Sequence, residues 1–155
     1  NSPSRIKKLP SELLVMKIRK MVSADLPALA KLNVEIFKDT DQKQALVSLA
    51  YSFSGKVPGA CLVAEEKGKF IGAIFAEKKT TFHRDAAYIS SFFVAQSARR
   101  KGVGQALFSA CLLAMKKKGM KSVSITVEQR NKKALSLYKK AGFKHFRSLL
   151  LLRRF

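Results

Sequence analysis

The chain has 155 residues, 47% of them hydrophobic, with 31 Lys and Arg against 10 Asp and Glu, a formal net charge of +21. A chain of this size makes one core. Two cysteines are too few for a disulfide-stapled scaffold, and no apolar run reaches the ~18 residues of a membrane span.

The charge is uneven. Residues 1–77 carry 12 basic and 8 acidic side chains, a net of +4, and residues 78–155 carry 19 and 2, a net of +17. The expected layout is a flexible basic segment or appended remnant at 1–14, then a single domain at 15–155. No apolar stretch behind Asn1–Pro10 is long enough for a signal peptide, so a cytoplasmic location is expected. Cys61 and Cys111 lie in apolar segments and are expected to be buried free thiols. No spacing of Cys with His83 or His145 suggests a metal site.

Val15–Lys20 alternates in type and predicts a half-buried edge strand. Ser23 is placed to cap a helix opening near Ala24, with Pro27 in its first turn. Leu26, Leu29, Ala30, Asn33 and Phe37 follow helical spacing. Asp39-Thr40-Asp41 breaks that helix, and a second carries Ala45, Leu46, Leu49, Ala50 and Phe53 on one stripe. Ser54-Gly55 ends it, and Val57-Pro58-Gly59 is a turn.

Ala60–Glu65 and Phe70–Glu77 read as strands of a hairpin around Glu66-Lys67-Gly68-Lys69. After a polar connection, Ala86–Val94 is apolar on both faces apart from Ser90 and Ser91, the pattern of a central strand. Val103–Lys118 is a long helix, apolar nearly all round and so expected to be largely buried, with Gly119 at its C′ position. Ser122–Val127 is a further strand, and Asn131 caps a helix that Gly142 ends. Phe143–Arg147 and Leu149–Phe155 read as two closing strands.

This order predicts an α/β (α+β) fold: a mixed, mostly antiparallel central sheet of about seven strands with helices on both faces. The unit Ala86–Val94, helix, Ser122–Val127 should be a parallel crossover, with a ligand at the carboxyl ends of its strands.

The stretch joining that central strand to the long helix is Val94-Ala-Gln-Ser-Ala-Arg-Arg-Lys-Gly-Val-Gly104. The first turn of a helix has backbone N–H groups without intrahelical partners, and they carry partial positive charge. Gly102 and Gly104 remove side chains that would hold an anion away from them. Arg99, Arg100 and Lys101 add donors and charge. Strand before, helix after and three cations inside make a phosphate cradle.

Arg99-x-x-Gly102-x-Gly104, together with Asn131-x-x-Ala134-x-x-x-Tyr138-x-x-x-Gly142-Phe143, resembles the two motif blocks of the GNAT superfamily of acetyl-CoA-dependent N-acetyltransferases. The resemblance extends over about residues 15–155. It implies the GNAT-like fold and transfer of an acetyl group from acetyl-CoA to an amine. It implies further that backbone N–H groups of Arg99, Arg100, Lys101, Gly102, Val103, Gly104 and Gln105 hold the pyrophosphate. The backbone of Phe92, Phe93 and Val94 would pair with the pantetheine arm, and Asn131 and Ala134 would lie against it. Tyr138 matches the family's general acid, which protonates the departing thiolate.

The sequence departs from the pattern at the base. Relatives place a Glu where this chain has Thr126 or Tyr88, and neither residue is a base here. Of the two carboxylates in the second half, Asp85 and Glu128, Glu128 is the candidate base, acting through water. Glu35, Asp39 and Asp41 are an acidic cluster expected to attract the acceptor ammonium, with Tyr88 also on the acceptor side. The short connection at Arg147-Ser148 suggests a site open enough for a peptide amine. Two readings stay open: an N-acetyltransferase of unknown acceptor and oligomeric state, or a module of this fold that docks on nucleic acid or ribosome through its basic half.

Overall fold

The computed structural model describes residues 16–80, 84–146 and 151–155. The N-terminal segment 1–14, Val15, His83 and the Arg147-Ser148 connection lie outside the described residues. The chain forms two compact units, one ending at Ile125 and one spanning Thr126–Phe155.

The first unit contains β1 (Met16–Lys20), α1 (Leu26–Phe37), α2 (Gln42–Ser54), β2 (Leu62–Glu66), β3 (Lys69–Lys78), β4 (Ala86–Val94), α3 (Val103–Lys117) and β5 (Ser122–Ile125). The strands pair in sequence order, antiparallel from β1 to β4. β4 and β5 are parallel, with Ala86 opposite Ser122 and Ile89 opposite Ile125, as the crossover reading requires. The β2–β3 hairpin turns on Lys67 and Gly68, both at positive φ (50° and 75°). That two-residue geometry follows the right-handed twist of the strands it joins.

The sheet is covered on both faces. Leu29 and Ala30 of α1 and Ala45 and Leu49 of α2 form one core cluster with Val63, Ala73, Phe75 and Phe93. On the opposite face Phe92 stacks on Phe108 of α3 at 6.0 Å between ring centres. Gly72 is what lets α3 approach. A Cβ there would stand 3.0 Å from Leu107 Cδ1 and 3.1 Å from the Phe93 carbonyl oxygen.

Several expectations are corrected. Ser23 does not cap α1. Ser23–Asp25 form a short 3₁₀ turn, and the Asp25 carboxylate reaches back to accept from the Val22 N–H at 2.8 Å. The Asp25 and Leu26 N–H groups, which a capping Ser23 hydroxyl would have taken, donate instead to the Val22 and Ser23 carbonyls. α3 is buried along one stripe, Val103, Leu107, Phe108, Cys111 and Met115, rather than all round, and Leu113 is more than half exposed. A helix lying on a sheet buries one side, whatever its composition.

The sheet has five strands among the described residues, not about seven. Phe143–Phe146 and Leu151–Phe155 are not strand, and residues 147–150 of the two expected strands lie outside the described residues. Alternation marks a segment able to pair, but a strand exists only where a neighbour supplies the ladder. Phe146, Leu151, Leu152 and Phe155 stand exposed.

In the second unit α4 (Lys132–Lys140) opens on Asn131, whose Oδ1 accepts from the Ala134 N–H at 3.2 Å. It closes in a Schellman motif: Gly142 (φ 92°) donates to the Lys139 carbonyl and Phe143 to the Tyr138 carbonyl, each at 3.0 Å. The Phe143 ring lies 5.9 Å from the Tyr138 ring, the apolar contact that accompanies this motif.

Candidate active site

The loop before α3 is built from alternating backbone conformations. Gln96–Ala98 form a short 3₁₀ turn, Arg99 is extended, Arg100 is left-handed (φ 65°) and Gly102 is left-handed again (φ 77°). Left-handed backbone costs an arginine about 1–2 kcal/mol, so the fold sustains a local strain here. Gly102 is the N-cap of α3 and supplies no side-chain oxygen. The first α3 ladder bond runs from the Ala106 N–H to the Gly102 carbonyl at 3.0 Å, which leaves the N–H groups of Val103, Gly104 and Gln105 ahead of the ladder. No acidic residue stands in that turn. Arg99, Arg100, Lys101 and Gln105 are exposed, and Arg99 Nε points back to the Val94 carbonyl at 3.4 Å.

The strand that feeds the loop is released on one edge just where the loop begins. β5 pairs with β4 only as far as Ile89, so Ser91–Val94 pair with β3 alone and lie past the end of β5. The backbone groups on that edge of Phe92–Val94 can therefore accept an extended ligand as an added strand. Uncapped amides, a basic loop and a forked sheet edge lie in line, at the carboxyl end of a parallel strand pair.

Comparison with known proteins identifies the family. Residues 26–143 match the acetyltransferase (GNAT) family. The chain belongs to the GNAT family. The chain is 30% identical over 135 residues to the uncharacterized N-acetyltransferase YhfO of Bacillus subtilis, across 83% of this chain and 89% of that protein. It is 31% identical over 86 residues to the N-alpha-acetyltransferase MAK3 of Arabidopsis thaliana, across 56% of this chain and 45% of that one. The aminoglycoside N-acetyltransferase AAC(6')-Iy, solved with CoA, shares the fold at a TM-score of 0.73 and 18% identity, across 90% of this chain and 94% of that one.

As a GNAT protein the chain is an acyltransferase, and its acyl donor is acetyl-CoA. Among the described residues no helix is long and apolar enough to cross a membrane. The two thiols are buried, and burial pushes Cys61 up to about 11 and Cys111 up to about 12. Burial of this kind favours the inert thiol form.

Tyr138 is buried, and burial raises its phenol above the ordinary tyrosine range, so it is protonated at neutral pH. Its carbonyl accepts from the Phe143 N–H in the Schellman motif that closes α4. Glu128 is exposed and its Oε2 accepts from Arg130 Nε at 2.7 Å.

The acidic cluster expected to attract the acceptor has divided duties. Asp41 is the N-cap of α2, its Oδ1 accepting from the Gln44 N–H at 2.8 Å, while Glu35 and Asp39 are exposed. Tyr88 is half-buried on β4, with Lys79 Nζ 4.1 Å from its ring centre.

Sequence reasoning missed the polar centre of the first unit. Arg19 on β1 grips both oxygens of buried Asp25 (2.8 and 2.9 Å) and Glu65 Oε1 of β2 (2.9 Å). Arg19 holds the Asp25 carboxyl below the usual range. The signal was an Arg on the polar side of an alternating strand, which reads as solvated until a partner 46 positions away is brought beside it.

Proposed function

We propose that this GNAT protein moves the acetyl group of acetyl-CoA directly to a primary amine in a ternary complex, with a peptide or protein α-amine preferred over a small amine. The observation that carries the reading is the start of α3. Three successive N–H groups face an exposed loop with three cations and no carboxylate. Amides of Arg99 to Gln105 hold the pyrophosphate, and the open edge of Phe92–Val94 takes the pantetheine arm. Asn131 and Ala134 flank that arm.

The amine nitrogen attacks the thioester carbon, and collapse of the tetrahedral intermediate expels the thiolate. Tyr138 supplies the proton that makes this sulfur a better leaving group. The name of the Arabidopsis relative favours an α-amine acceptor. An α-amino group, with a pKa of ~7.7–8.0, is partly neutral near pH 7 and asks little of a base. That suits a chain with Thr126 and Tyr88 where a base would stand. Glu128 receives the amine proton through water, and Glu35, Asp39 and Tyr88 line the approach, with Asp41 adding charge.

The test is acetyl-CoA consumption against an α-amino peptide, a lysine peptide, a polyamine and an aminoglycoside. The α-amino peptide is expected to give the highest kcat/KM. Tyr138→Phe is expected to lower kcat by about 100-fold or more with acetyl-CoA affinity unchanged. A full-rate Phe variant removes Tyr138 from the chemistry.

A second reading is favoured by charge. Residues 86–127 hold seven Lys and Arg and no Asp or Glu. All seven are exposed, and Lys121 is paired with Asp85 at 3.8 Å. We propose that this surface also engages nucleic acid. Titration with a DNA or RNA duplex should then show affinity falling steeply with added salt; no binding at 50 mM salt ends this reading.

A further inference from the structure

β5 is the last strand of the sheet, and its ladder with β4 occupies one edge. Among the described residues no backbone hydrogen bond from outside that ladder reaches Ser122–Ile125. Ser122 is exposed and Val123, Ser124 and Ile125 are half-buried, so the outer edge is reached by solvent. Such an edge offers N–H and C=O groups to any extended chain that can lie along it.

A pocket of about 130 Å³ adjoins this edge. Leu112 and Met115 of α3, Met120 and Val123 of β5 form its apolar part, with Lys116 and Lys121 beside them. No residue of β4 lines it, so it opens on the outer side of β5. A cavity of ~150 Å³ takes a benzene ring, so this one takes a single apolar side chain.

Charge selects the occupant. Residues 112–125 contain Lys116, Lys117, Lys118 and Lys121, all exposed, and no Asp or Glu. Lys116 and Lys117 lie in the last turn of α3, where they offset the helix dipole. Lys121 stands beyond the helix, and its contact with Asp85 at 3.8 Å leaves it 70% exposed. A second copy pairing edge to edge would bring the four lysines of each chain together, so this edge rejects its own kind. The same charge attracts an acidic chain. Lysines alone would suffice to guard an edge; the apolar pocket beside them has no part in a guard.

We propose that the outer edge of β5 binds an extended acidic segment of a partner protein by strand addition. An apolar side chain of that segment enters the pocket opposite Val123. Side chains two residues apart on a strand share a face at a spacing of about 6.7 Å, so a carboxylate two residues from the anchor lies opposite Lys121. Backbone bonds supply affinity, and the pocket and lysines supply the preference. Binding at β5 does not depend on acetyl transfer.

The experiment titrates the full chain by calorimetry with the peptide acetyl-Glu-Thr-Asp-Thr-Leu-Thr-Asp-Thr-Glu-amide. The peptide has no amine, so it is not itself an acetyl acceptor. Exchange of its leucine for alanine should weaken binding about tenfold. Two further versions, N-methylated at the odd or at the even residues, keep the same charge. An added strand donates to its neighbour through alternate N–H groups, so the two should differ by about tenfold or more. The double variant Lys116→Glu, Lys121→Glu should bind the parent peptide at least about tenfold more weakly, with acetyl-CoA affinity unchanged. Amide hydrogen exchange in residues 122–125 should slow when the peptide binds.

Absence of peptide binding overturns the proposal. So does equal affinity for the leucine and alanine peptides, which would leave only charge attraction. Equal affinity for the two N-methylated versions, or protection confined to other residues, removes strand addition at β5. A chain that binds a DNA duplex and not the peptide carries a nucleic-acid surface here, and the proposal falls.

Discussion

Three helices of the first unit begin in two different ways. At α1 no side chain caps the helix; the preceding 3₁₀ turn continues into it, and the Leu26 N–H donates to the Ser23 carbonyl. At α2 the Asp41 carboxylate accepts the Gln44 N–H. Each start is closed by an oxygen of the chain's own. At α3 the capping position is Gly102, which has no side-chain oxygen, and the loop before it carries cations instead. A closed start stabilises the fold; an open one keeps amides and positive dipole for a ligand. The contrast teaches that an anion site can be recognised by what is withheld from a helix end as much as by what is placed there.

The largest break in this comparison is expected at α1. Asp25→Ala removes together one of the two carboxylates that hold Arg19 and the acceptor of the Val22 N–H, leaves Glu65 on Arg19, and should cost about 2–3 kcal/mol in urea unfolding. It carries a pH signature. Arg19 lowers the folded-state pKa of Asp25 below its unfolded value, so this stabilisation is present above the unfolded value and is lost as pH falls through the folded one. Asp25→Asn should flatten the acid limb of the stability curve. An unchanged limb shows that the network does not govern acid unfolding.

Closing the open start comes next. Gly102→Asp places a carboxylate where α2 has its own, and acetyl-CoA affinity by calorimetry should fall about 100-fold, or about 2.7 kcal/mol. A value within threefold of wild type shows that the donor's phosphates lie elsewhere.

Gly104→Ala is gentler and more discriminating. A Cβ at Gly104 would sit 3.5 Å from Val94 Cγ2 and 3.6 Å from Phe92 Cζ, ordinary contacts. The fold should keep or slightly gain stability, while a methyl group beside the N–H groups should weaken acetyl-CoA about tenfold, or about 1.4 kcal/mol. Loss of stability without loss of affinity would make Gly104 a packing residue.

The smallest effect sharpens the contrast from the other side. Asp41→Ala removes a cap and should cost about 1 kcal/mol of stability, with acetyl-CoA affinity untouched. A raised acceptor KM in the same variant would show that Asp41 also serves the acceptor.

Local sequence determined a good deal of this protein. β4 (Ala86–Val94) has the boundaries its apolar run predicts, and α3 begins where Gly102 interrupts the basic loop. Asn131 caps α4, Gly142 closes it, and Lys67-Gly68 turns the hairpin. These features depend on neighbours within a few residues: a capping oxygen, a left-handed glycine, a run of one period. The two motif blocks also carried the family, since their spacing depends on the same local turns.

Tertiary structure alone decided the rest. The bulge at Ser90, the end of β5 at Ile125, the approach of α3 over Gly72 and the grip of Arg19 on Asp25 and Glu65 each require a partner distant in the chain. Among the described residues Phe143–Phe146 and Leu151–Phe155 form no strand, and the cause is the same. Leu151 and Leu152 have strand-forming character, but a ladder needs a second edge, and alternation in one segment carries no information about who stands beside it.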